Sequence, residues 1–350
     1  MRTGLVVLLV ACSSSNDHAV TPDAAAVDAP AVDAPAMDAP AAALELGTVT
    51  AHVPAACSNG AGSSATCQLL SISCGAYSDQ VELAVSRPAL PIGTVTLHGG
   101  GAGTGYWGAQ PDLITPLLAA GFQIVQLKWV HDWQVPGAGA RHAACLPATA
   151  YQWIHDNLRG AGGFCGAGTS GGGATLGYSL SAYGLESIFD YAMIVSGPAV
   201  SKMDVGCDLP DYTGPAPSLC PQIPQPLNPL PASAIDGIEQ TTTCSCTTPD
   251  CVLAADKTRW AADSIVTDGA SYTYPHTATS FWFCGNSNTN GSTGGGAFYY
   301  AAVAGVASND VSLHCYAGAQ STCKGEGVFD DPNALDAAVA AMTAGCIARH

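Results

Sequence analysis

The sequence predicts an α/β protein with a mostly parallel central sheet and helices on both faces. Short apolar segments bounded by Gly, Ser, Asp and Pro read as strands. From residue 94 onward these segments alternate with segments that have helical periodicity. Strands that alternate with helices are typical of a parallel sheet covered on both sides. The chain from Leu46 onward is long enough for one large core or two small ones.

The elements follow one another in a regular order. The predicted strands cover residues 67–74, 80–86, 94–97, 122–127, 164–168, 191–195, 279–284 and 311–316. The predicted helices cover residues 111–120, 147–158, 171–182 and 333–346. The last helix is rich in Ala, with Pro332 suited to its first turn and Asp331 or Asn333 available as a cap.

Residues 200–262 interrupt this alternation. They contain five cysteines, and the stretch from Pro210 to Pro231 contains eight prolines. Proline lacks a backbone donor and disfavours both regular helix and central strand. We therefore interpret this segment as a Cys- and Pro-rich cap, inserted into a domain that covers residues 46–350.

The N-terminus predicts export. Residues 1–11 combine Arg2 with a short apolar run, which is typical of a signal peptide. The run ends in Leu-Val-Ala-Cys, which resembles a bacterial lipobox and implies lipidation of Cys12; cleavage without lipidation is the alternative. Residues 12–45 repeat Asp-Ala-Pro with a period of five. This composition favours an extended tether between an envelope membrane and the domain.

Charge and cysteine content narrow the function classes. Ten basic and 27 acidic residues give a net charge of −17. This charge argues against nucleic acid as a binding partner and against electrostatic docking on an anionic membrane. Membrane contact is then expected only through the lipid anchor. Fifteen cysteines in an exported chain, of which Cys12 is one, favour several disulfides. The spacing of Cys244, Cys246 and Cys251 also fits one half of a metal-binding knuckle, but a second cysteine–histidine pair at zinc spacing is missing. We therefore expect no metal or other cofactor.

One motif is typical of nucleophilic catalysis. Gly168-Thr-Ser170-Gly-Gly172 lies between a predicted strand and a predicted helix. A Gly-x-Ser-x-Gly run in that context forms a sharp turn that exposes the serine at the edge of the sheet. The helix that follows directs its N-terminus at Ser170, where it favours developing negative charge.

A second motif completes a resemblance. His98-Gly99-Gly100-Gly101 follows an earlier strand, with His98 expected to be structural. The two motifs together resemble the α/β-hydrolase fold, in the esterase and lipase branch that carries an HGGG loop. The resemblance implies an oxyanion hole formed by the backbone N–H groups of Gly100, Gly101 and Gly171.

A dinucleotide-binding fingerprint, Gly-x-Gly-x-x-Gly, can also be read over residues 166–171. That motif requires an acidic residue about 20 positions later, at the end of the next strand. No such residue is present, and an exported protein lies away from nicotinamide pools. We therefore prefer the hydrolase interpretation.

The remainder of the catalytic triad departs from the family. The resemblance implies the order Ser, acid, His, with the acid after the strand that ends at Cys284. Asn288 occupies the acid's place, and Glu326, in Gly-Glu-Gly-Val-Phe, occupies the histidine's place. Glu326 would then act as the base on Ser170 with Asn288 orienting it, a coherent pair because two adjacent carboxylates resist joint ionisation. The alternative is that both positions have drifted and hydrolysis is lost.

Other candidate bases and acids are weaker. His131 and His142 flank the loop after strand 122–127, two strands from Ser170, while His314 lies within a strand. His276 precedes its strand and is expected at the opposite end of the sheet. Asp204 is a possible displaced acid, with helix capping as the alternative.

Three functions remain open at this stage. The first is an exported, lipid-anchored hydrolase of small or polymeric carboxylic esters, which forms an acyl-enzyme on Ser170. The second is a non-catalytic binding protein on a hydrolase scaffold, and the third is a disulfide-stabilised adhesin. In the first case four aromatic residues near the top loops are candidates for the lining of an apolar substrate pocket, with ordinary packing as the alternative: Tyr106, Trp107, Trp129 and Trp133.

Overall fold

The computed structural model describes residues 43–107, 113–207, 215–220, 232–245, 252–285, 292–317, 321–324 and 326–348. All of them belong to one compact unit, Pro40–His350. Cys12, Asn288, the repeats of the tether and part of the cap insertion lie outside the described residues. The predictions that rest on them remain predictions.

A single sheet organises this unit. The described residues contain nine strands: β1 Thr48–Ala55, β2 Thr66–Cys74, β3 Tyr77–Ser86, β4 Gly93–His98, β5 Gln123–Trp129, β6 Gly163–Thr169, β7 Tyr191–Val195, β8 Ala278–Cys284 and β9 Val311–Tyr316. Their order across the sheet is β1-β2-β3-β5-β4-β6-β7-β8-β9. The first three strands join β5 by antiparallel pairing. The other five pairings are parallel, as predicted.

Helices cover both faces of the sheet. Within the described residues they are α1 Ile114–Ala119, α2 Ala140–Ala143, α3 Cys145–Leu158, α4 Gly171–Ser181, α5 Met203–Gly206, α6 Ala216–Leu219, α7 Ala232–Glu239, α8 Ala254–Asp263, α9 Ser292–Ala304 and α10 Pro332–Ala348. One apolar cluster packs α3, α4, α8 and α9 against one face. A second cluster packs α1 and α10 against the other. The predicted α/β class with two covered faces is confirmed.

Strand β1 and helix α9 are among the elements that were not predicted, and each of these two has a physical reason. Strand β1 lies at the edge of the sheet with most of its side chains exposed, so its apolar pattern is weak. Helix α9 contains three consecutive glycines, which lower helix propensity. A Cβ at Gly295 or Gly296 would overlap the backbone oxygens of Pro198 or Gly197. The close approach of α9 to that segment therefore requires these residues.

The end of the predicted tether contacts the folded unit. The Leu44 N–H donates to the carbonyl of Ala182 at 2.7 Å. Leu44 and Leu46 are partly buried against the larger apolar cluster. The chain is therefore attached to the domain from at least Leu44 onward.

Six disulfides join twelve cysteines of the described residues. The pairs are Cys57–Cys67, Cys74–Cys145, Cys165–Cys346, Cys207–Cys244, Cys220–Cys315 and Cys284–Cys323. Cys244, which the sequence left open between a disulfide and a metal knuckle, is thus disulfide-bonded. This density of disulfides is typical of proteins outside the cytoplasm. Among the described residues, no helix has the length and apolarity that a bilayer span needs.

Candidate active site

The turn between β6 and α4 exposes Ser170. Strand β6 ends at Thr169, and α4 begins at Gly171. Ser170 has φ 50° and ψ −113°, a conformation that L-residues rarely adopt. Its N–H donates to the Val195 carbonyl at 2.9 Å, which ties the turn to the end of β7. The strained serine lies at the carboxyl edge of the parallel strands, as the Gly-x-Ser-x-Gly motif predicted.

Glycine is required on both sides of this turn. A Cβ at Gly168 would overlap the carbonyl oxygen of Gly172. A Cβ at Gly172 would overlap the carbonyl oxygen of His98. Both obstacles are backbone atoms, which cannot rotate away as a side chain can. The motif therefore follows from backbone packing around Ser170.

The HGGG loop lies against the same turn. A Cβ at Gly100 would lie 3.3 Å from the Cβ of Ser170, and a Cβ at Gly171 would lie 2.8 Å from the Gly101 nitrogen. A hydrogen bond from Trp133 Nε1 to the Gly101 carbonyl, at 3.0 Å, holds the loop in place. The backbones of Gly100, Gly101 and Gly171 thus surround Ser170, where the sequence placed the oxyanion hole.

His98 supports the loop from within the core. Complete burial lowers its pKa to about 3, so the ring is neutral at physiological pH. Trp129 Nε1 donates to His98 Nε2 at 3.1 Å, which places the ring proton on Nδ1. Nδ1 then donates to Thr175 Oγ1 at 2.6 Å, and that hydroxyl donates to the Gly172 carbonyl at 2.8 Å. His98 thereby links the glycine loop to α4, in keeping with the structural role expected for it.

The structure brings Glu326 to the serine. Ser170 Oγ donates to Glu326 Oε1 at 3.1 Å, across 156 residues of sequence. Glu326 is half-buried and follows strand β9 in the chain. The expected third partner, Asn288, lies outside the described residues. The predicted contact between the nucleophile position and the carboxylate is therefore present in the structure.

The loop that carries Glu326 has its own anchors. Ser196 Oγ donates to the Glu326 carbonyl at 2.7 Å. The disulfide Cys284–Cys323 connects the end of β8 to the same loop, three residues before Glu326. Sequence reasoning missed both contacts. No local pattern marks Ser196, and the pairing of the cysteines depends on the fold.

The other candidate bases do not contact Ser170. His131 Nδ1 lies 2.8 Å from Asp79 Oδ1 in β3, and His142 Nδ1 lies 3.7 Å from Asp263 Oδ1. The His314 ring stacks on Trp282 with 3.8 Å between centroids. None of these three histidines lines the cavity described below.

The two remaining candidates also lie away from the serine. His276 precedes β8, at the end of that strand opposite the turn. Asp204 in α5 lies 3.4 Å from Lys202 Nζ. Neither residue lines the cavity. Among the candidates in the described residues, Glu326 alone reaches Ser170.

A cavity of about 470 Å³ opens above Ser170 and Glu326. Its wall is mostly apolar, with Gln134 as a further polar side chain. The apolar lining consists of Gly101, Ala102, Trp133, Gly171, Ala174, Ala199, Val200, Ala234, Ile235 and Ile238. Of the four aromatic residues proposed for a substrate pocket, only Trp133 lines it. Tyr106, Trp107 and Trp129 are buried elsewhere in the core.

The roof of the cavity is α7, which lies in the segment 200–262 that the sequence predicts as a cap. Ile235 and Ile238 face the cavity from this helix. At its end, the Glu239 carboxylate accepts from the Ala140 N–H at 2.9 Å. Burial of Glu239, with Asp263 beside it, raises its pKa to about 7. A titratable carboxyl group therefore holds the roof helix against the body of the domain.

Known proteins were compared with the chain by sequence and by structure. No protein-family model and no curated protein matches it. Several solved structures resemble it at low sequence identity. Carboxyl esterase 2 from the fungus Tuber melanosporum is 14% identical with a TM-score of 0.52, covering 82% of this chain and 88% of its own.

Two further esterases show the same likeness. A bacterial heroin esterase is 15% identical with a TM-score of 0.51, covering 81% of this chain and 85% of its own. A hyperthermophilic esterase from the archaeon Pyrobaculum calidifontis is 14% identical with a TM-score of 0.50, over 85% and 87%. The similarity extends over most of each chain. We conclude that this chain has the α/β-hydrolase fold.

Proposed function

We propose that this protein is an exported, lipid-anchored serine hydrolase that cleaves carboxylic esters through an acyl-enzyme. The observation that carries the proposal is the 3.1 Å contact between Ser170 Oγ and Glu326 Oε1. A nucleophile within hydrogen-bond distance of a base is the arrangement that covalent catalysis needs. The esterase-like fold supports a carboxylesterase type of activity.

Acylation follows from this geometry. Glu326 accepts the proton of Ser170 as Oγ attacks the ester carbonyl carbon, and the carbonyl oxygen becomes an oxyanion. The backbone N–H groups of Gly100, Gly101 and Gly171 stabilise that charge. The oxyanion then re-forms the carbonyl, the bond to the alcohol oxygen breaks, and protonated Glu326 returns its proton to the leaving alkoxide. The acyl group remains on Ser170.

Deacylation repeats these steps with water. Glu326 accepts a proton from a water molecule, which attacks the acyl carbon and forms a second oxyanion at the same N–H groups. When this intermediate collapses, Ser170 Oγ leaves and takes the proton from Glu326. The carboxylic acid is released, and the site returns to its starting protonation state.

Export and anchoring rest on the N-terminal sequence. Residues 1–11 act as the signal, Cys12 carries the lipid, and residues 12–45 form the tether. The six disulfides of the described residues suit that compartment. The substrate is a small or polymeric ester near the cell envelope, and nucleic acid is not a partner.

Covalent labelling tests the proposal. The purified domain is treated with a fluorophosphonate, and the intact mass is read from acidic to alkaline pH. We expect one label per chain, no label in Ser170→Ala, and labelling slower by about a thousandfold in Glu326→Gln, because the neutral amide has the shape of the carboxyl group but accepts no proton. Absence of labelling at every pH would instead favour a non-catalytic binding protein.

The pH profile identifies the class of base. Carboxyl groups ordinarily titrate near pH 4 and imidazoles near pH 6.5. A carboxylate base predicts that labelling persists at pH 5 to 6, where an imidazole base would be mostly protonated. A labelling rate that falls with a midpoint near 6.5 and is unaffected by Glu326→Gln would contradict the assignment of Glu326.

A further inference from the structure

A tight turn forms the part of the HGGG loop that lies next to Ser170. The Gly103 N–H donates to the Gly100 carbonyl at 3.2 Å, which closes this turn around Gly101. Gly101 has φ 59°, in the left-handed region that glycine adopts without strain. Because each peptide group is planar, the direction of the Gly100 carbonyl also fixes that of the Gly101 N–H.

The Gly101 carbonyl oxygen lies close to another group that is expected to form the oxyanion hole. A Cβ at Gly171 would overlap this oxygen, so the two backbones approach each other closely beside Ser170. A carbonyl oxygen carries partial negative charge and accepts hydrogen bonds. Without partners of its own, it would compete with the substrate oxyanion for the nearby N–H groups and would repel the developing charge. Donors that occupy this oxygen therefore favour catalysis.

Two side chains donate to the Gly101 carbonyl oxygen. Trp133 Nε1 lies 3.0 Å from it, and Gln134 Nε2 lies 3.2 Å from it. A carbonyl oxygen has two lone pairs, so two donors occupy both of them. Trp133 is fully buried and acts through its N–H group rather than through contact with a ligand. Gln134 is half-buried at the wall of the cavity.

The segment that carries the two donors is itself anchored to the sheet. The buried carboxylate of Asp79, in β3, accepts from the Asp132 N–H at 3.2 Å. The Asp132 carboxylate in turn accepts from the Gln134 N–H at 2.7 Å. The Trp133 N–H donates to the Ala102 carbonyl at 3.4 Å. The two donors are thus held in place before a substrate binds, as preorganised stabilisation of charge requires.

We propose that Trp133 and Gln134 are positioning residues for the oxyanion hole. They occupy the Gly101 carbonyl and so leave the neighbouring N–H groups to the substrate oxyanion. The proposal rests on the proposed ester hydrolysis, because the oxyanion exists only while an ester or an acyl-enzyme is attacked. The ester itself lacks this charge before attack, so loss of the two donors should lower kcat and leave KM nearly unchanged.

Two substitutions remove the donors and keep most of the bulk of each side chain: Trp133→Phe and Gln134→Met. Each single variant retains one donor, so kcat for p-nitrophenyl butyrate should fall only about three- to fivefold. The double variant has neither donor, and kcat should fall about 50-fold, which exceeds the product of the single effects. The value of kcat is calculated per site that the fluorophosphonate labels, so unfolded protein is not counted.

An inhibitor that forms the oxyanion measures the effect directly. Propyl trifluoromethyl ketone has the same acyl chain as the butyrate ester, and Ser170 Oγ adds to its carbonyl carbon. The carbonyl oxygen becomes the oxyanion and Glu326 accepts the serine proton, so the adduct resembles the transition state. Its inhibition constant should rise in parallel with the fall in kcat/KM, about 50-fold in the double variant. A loss of active protein alone leaves this constant unchanged.

The neighbouring residues Gln152 and Trp153 of α3 provide a matched control. Gln152 bonds within its own helix, and the Trp153 ring lies 4.9 Å from that of His52. Neither residue lines the cavity. The double variant Gln152→Met with Trp153→Phe should therefore keep the wild-type kcat per labelled site and the wild-type inhibition constant. Equal effects of this pair and of the Trp133 and Gln134 pair would overturn the proposal.

Gln134→Glu tests the same hydrogen bond without a change of size. A protonated carboxyl group donates to the Gly101 carbonyl, whereas an ionised carboxylate cannot donate and repels its oxygen. The inhibition constant of this variant, relative to that of the wild type, should therefore rise about tenfold between about pH 4 and about pH 7. A ratio that does not change with pH would contradict the role of Gln134. This variant also decides the question if the double variant does not fold.

The outcomes distinguish the two proposals. Wild-type protein that is labelled at Ser170, with the same inhibition constant as the double variant, overturns the positioning role alone. Single effects on kcat that simply multiply, with an unchanged inhibition constant, also overturn it. Wild-type protein that is neither labelled nor active on the ester overturns the proposed function, and the positioning role falls with it.

Discussion

The two halves of the candidate site are held by different means. On the serine side, glycines at 168 and 172 let backbone approach backbone, and a side chain at either position would overlap a carbonyl oxygen. On the carboxylate side, Glu326 is held by a side-chain hydrogen bond from Ser196 and by the disulfide Cys284–Cys323. Neither anchor involves the Glu326 side chain itself.

This difference would account for the departure from the family pattern that the sequence predicts at position 326. Backbone overlap leaves no freedom to change a glycine, so the motif around Ser170 is intact. The anchors of the second loop hold its backbone, so a different side chain can occupy position 326 without moving the loop. A glutamate where the hydrolase family implies histidine is compatible with such a loop, and Oε1 still reaches Ser170 Oγ.

The largest expected effect is at the serine turn. Gly172→Ala should lower the free energy of unfolding by roughly 4 kcal/mol, because the added Cβ overlaps the His98 carbonyl oxygen. Gly173→Ala is the matched control, since its Cβ would lie 3.3 Å from the Gly168 oxygen and a helical alanine is favourable. Denaturant midpoints compare the two variants. Equal stability would mean that the turn tolerates a side chain.

The disulfide of the carboxylate loop comes next. Replacing Cys284 and Cys323 together by Ser should slow fluorophosphonate labelling about 10- to 100-fold, because the backbone of the loop loses its covalent anchor. The control removes Cys57–Cys67, which lies in the β1–β2 region. Both changes should lower stability by a few kcal/mol. Labelling is compared at a temperature where circular dichroism shows both proteins folded, and similar rates would contradict an anchoring role.

The attachment of the roof helix α7 to the body of the domain is expected to depend on pH. The pKa of Glu239 is raised to about 7 from an ordinary value of 4.5, so the folded state binds its proton more tightly than the unfolded state. Stability should therefore fall as pH rises through this window, by roughly 1 to 3 kcal/mol.

The variant Glu239→Gln isolates this contribution. Its stability should vary less between pH 4.5 and 7 than that of the wild type. Asp336→Asn, at an exposed position of α10, is the control. Melting temperatures across that pH range decide the question. If the melting temperatures of the wild type and of Glu239→Gln change with pH at the same slope, this carboxyl group is not the cause of the pH dependence.

The smallest expected effect is at Ser196. Ser196→Ala removes the hydrogen bond to the Glu326 carbonyl, which contributes about 1 kcal/mol. Labelling of Ser170 should slow about fivefold. Ser187→Ala, which removes an exposed hydrogen bond to the Gly184 carbonyl, should leave the rate unchanged. Equal rates in both variants would contradict a positioning role for Ser196.

Sequence reasoning succeeded where the cause is local. The eight predicted strands agree with the structure to within a few residues, because apolar runs bounded by turn residues depend on neighbouring positions. Among the elements that it missed are β1, whose exposed edge position weakens the pattern, and α9, whose glycines serve contact with another segment. It also proposed four aromatic residues for the pocket, of which only Trp133 lines it.

The sequence by itself determined the α/β class and the turn at Ser170, because the alternation of strands and helices and the close approach of Gly168 to Gly172 depend on neighbouring residues. It also placed the HGGG loop at the end of β4. Only the tertiary structure decided that Glu326 contacts Ser170, since the two lie 156 residues apart. The same holds for the cysteine pairs and for α7 as the roof of the cavity. These features depend on contacts between distant segments, and such contacts exist only once the sheet has brought those segments together.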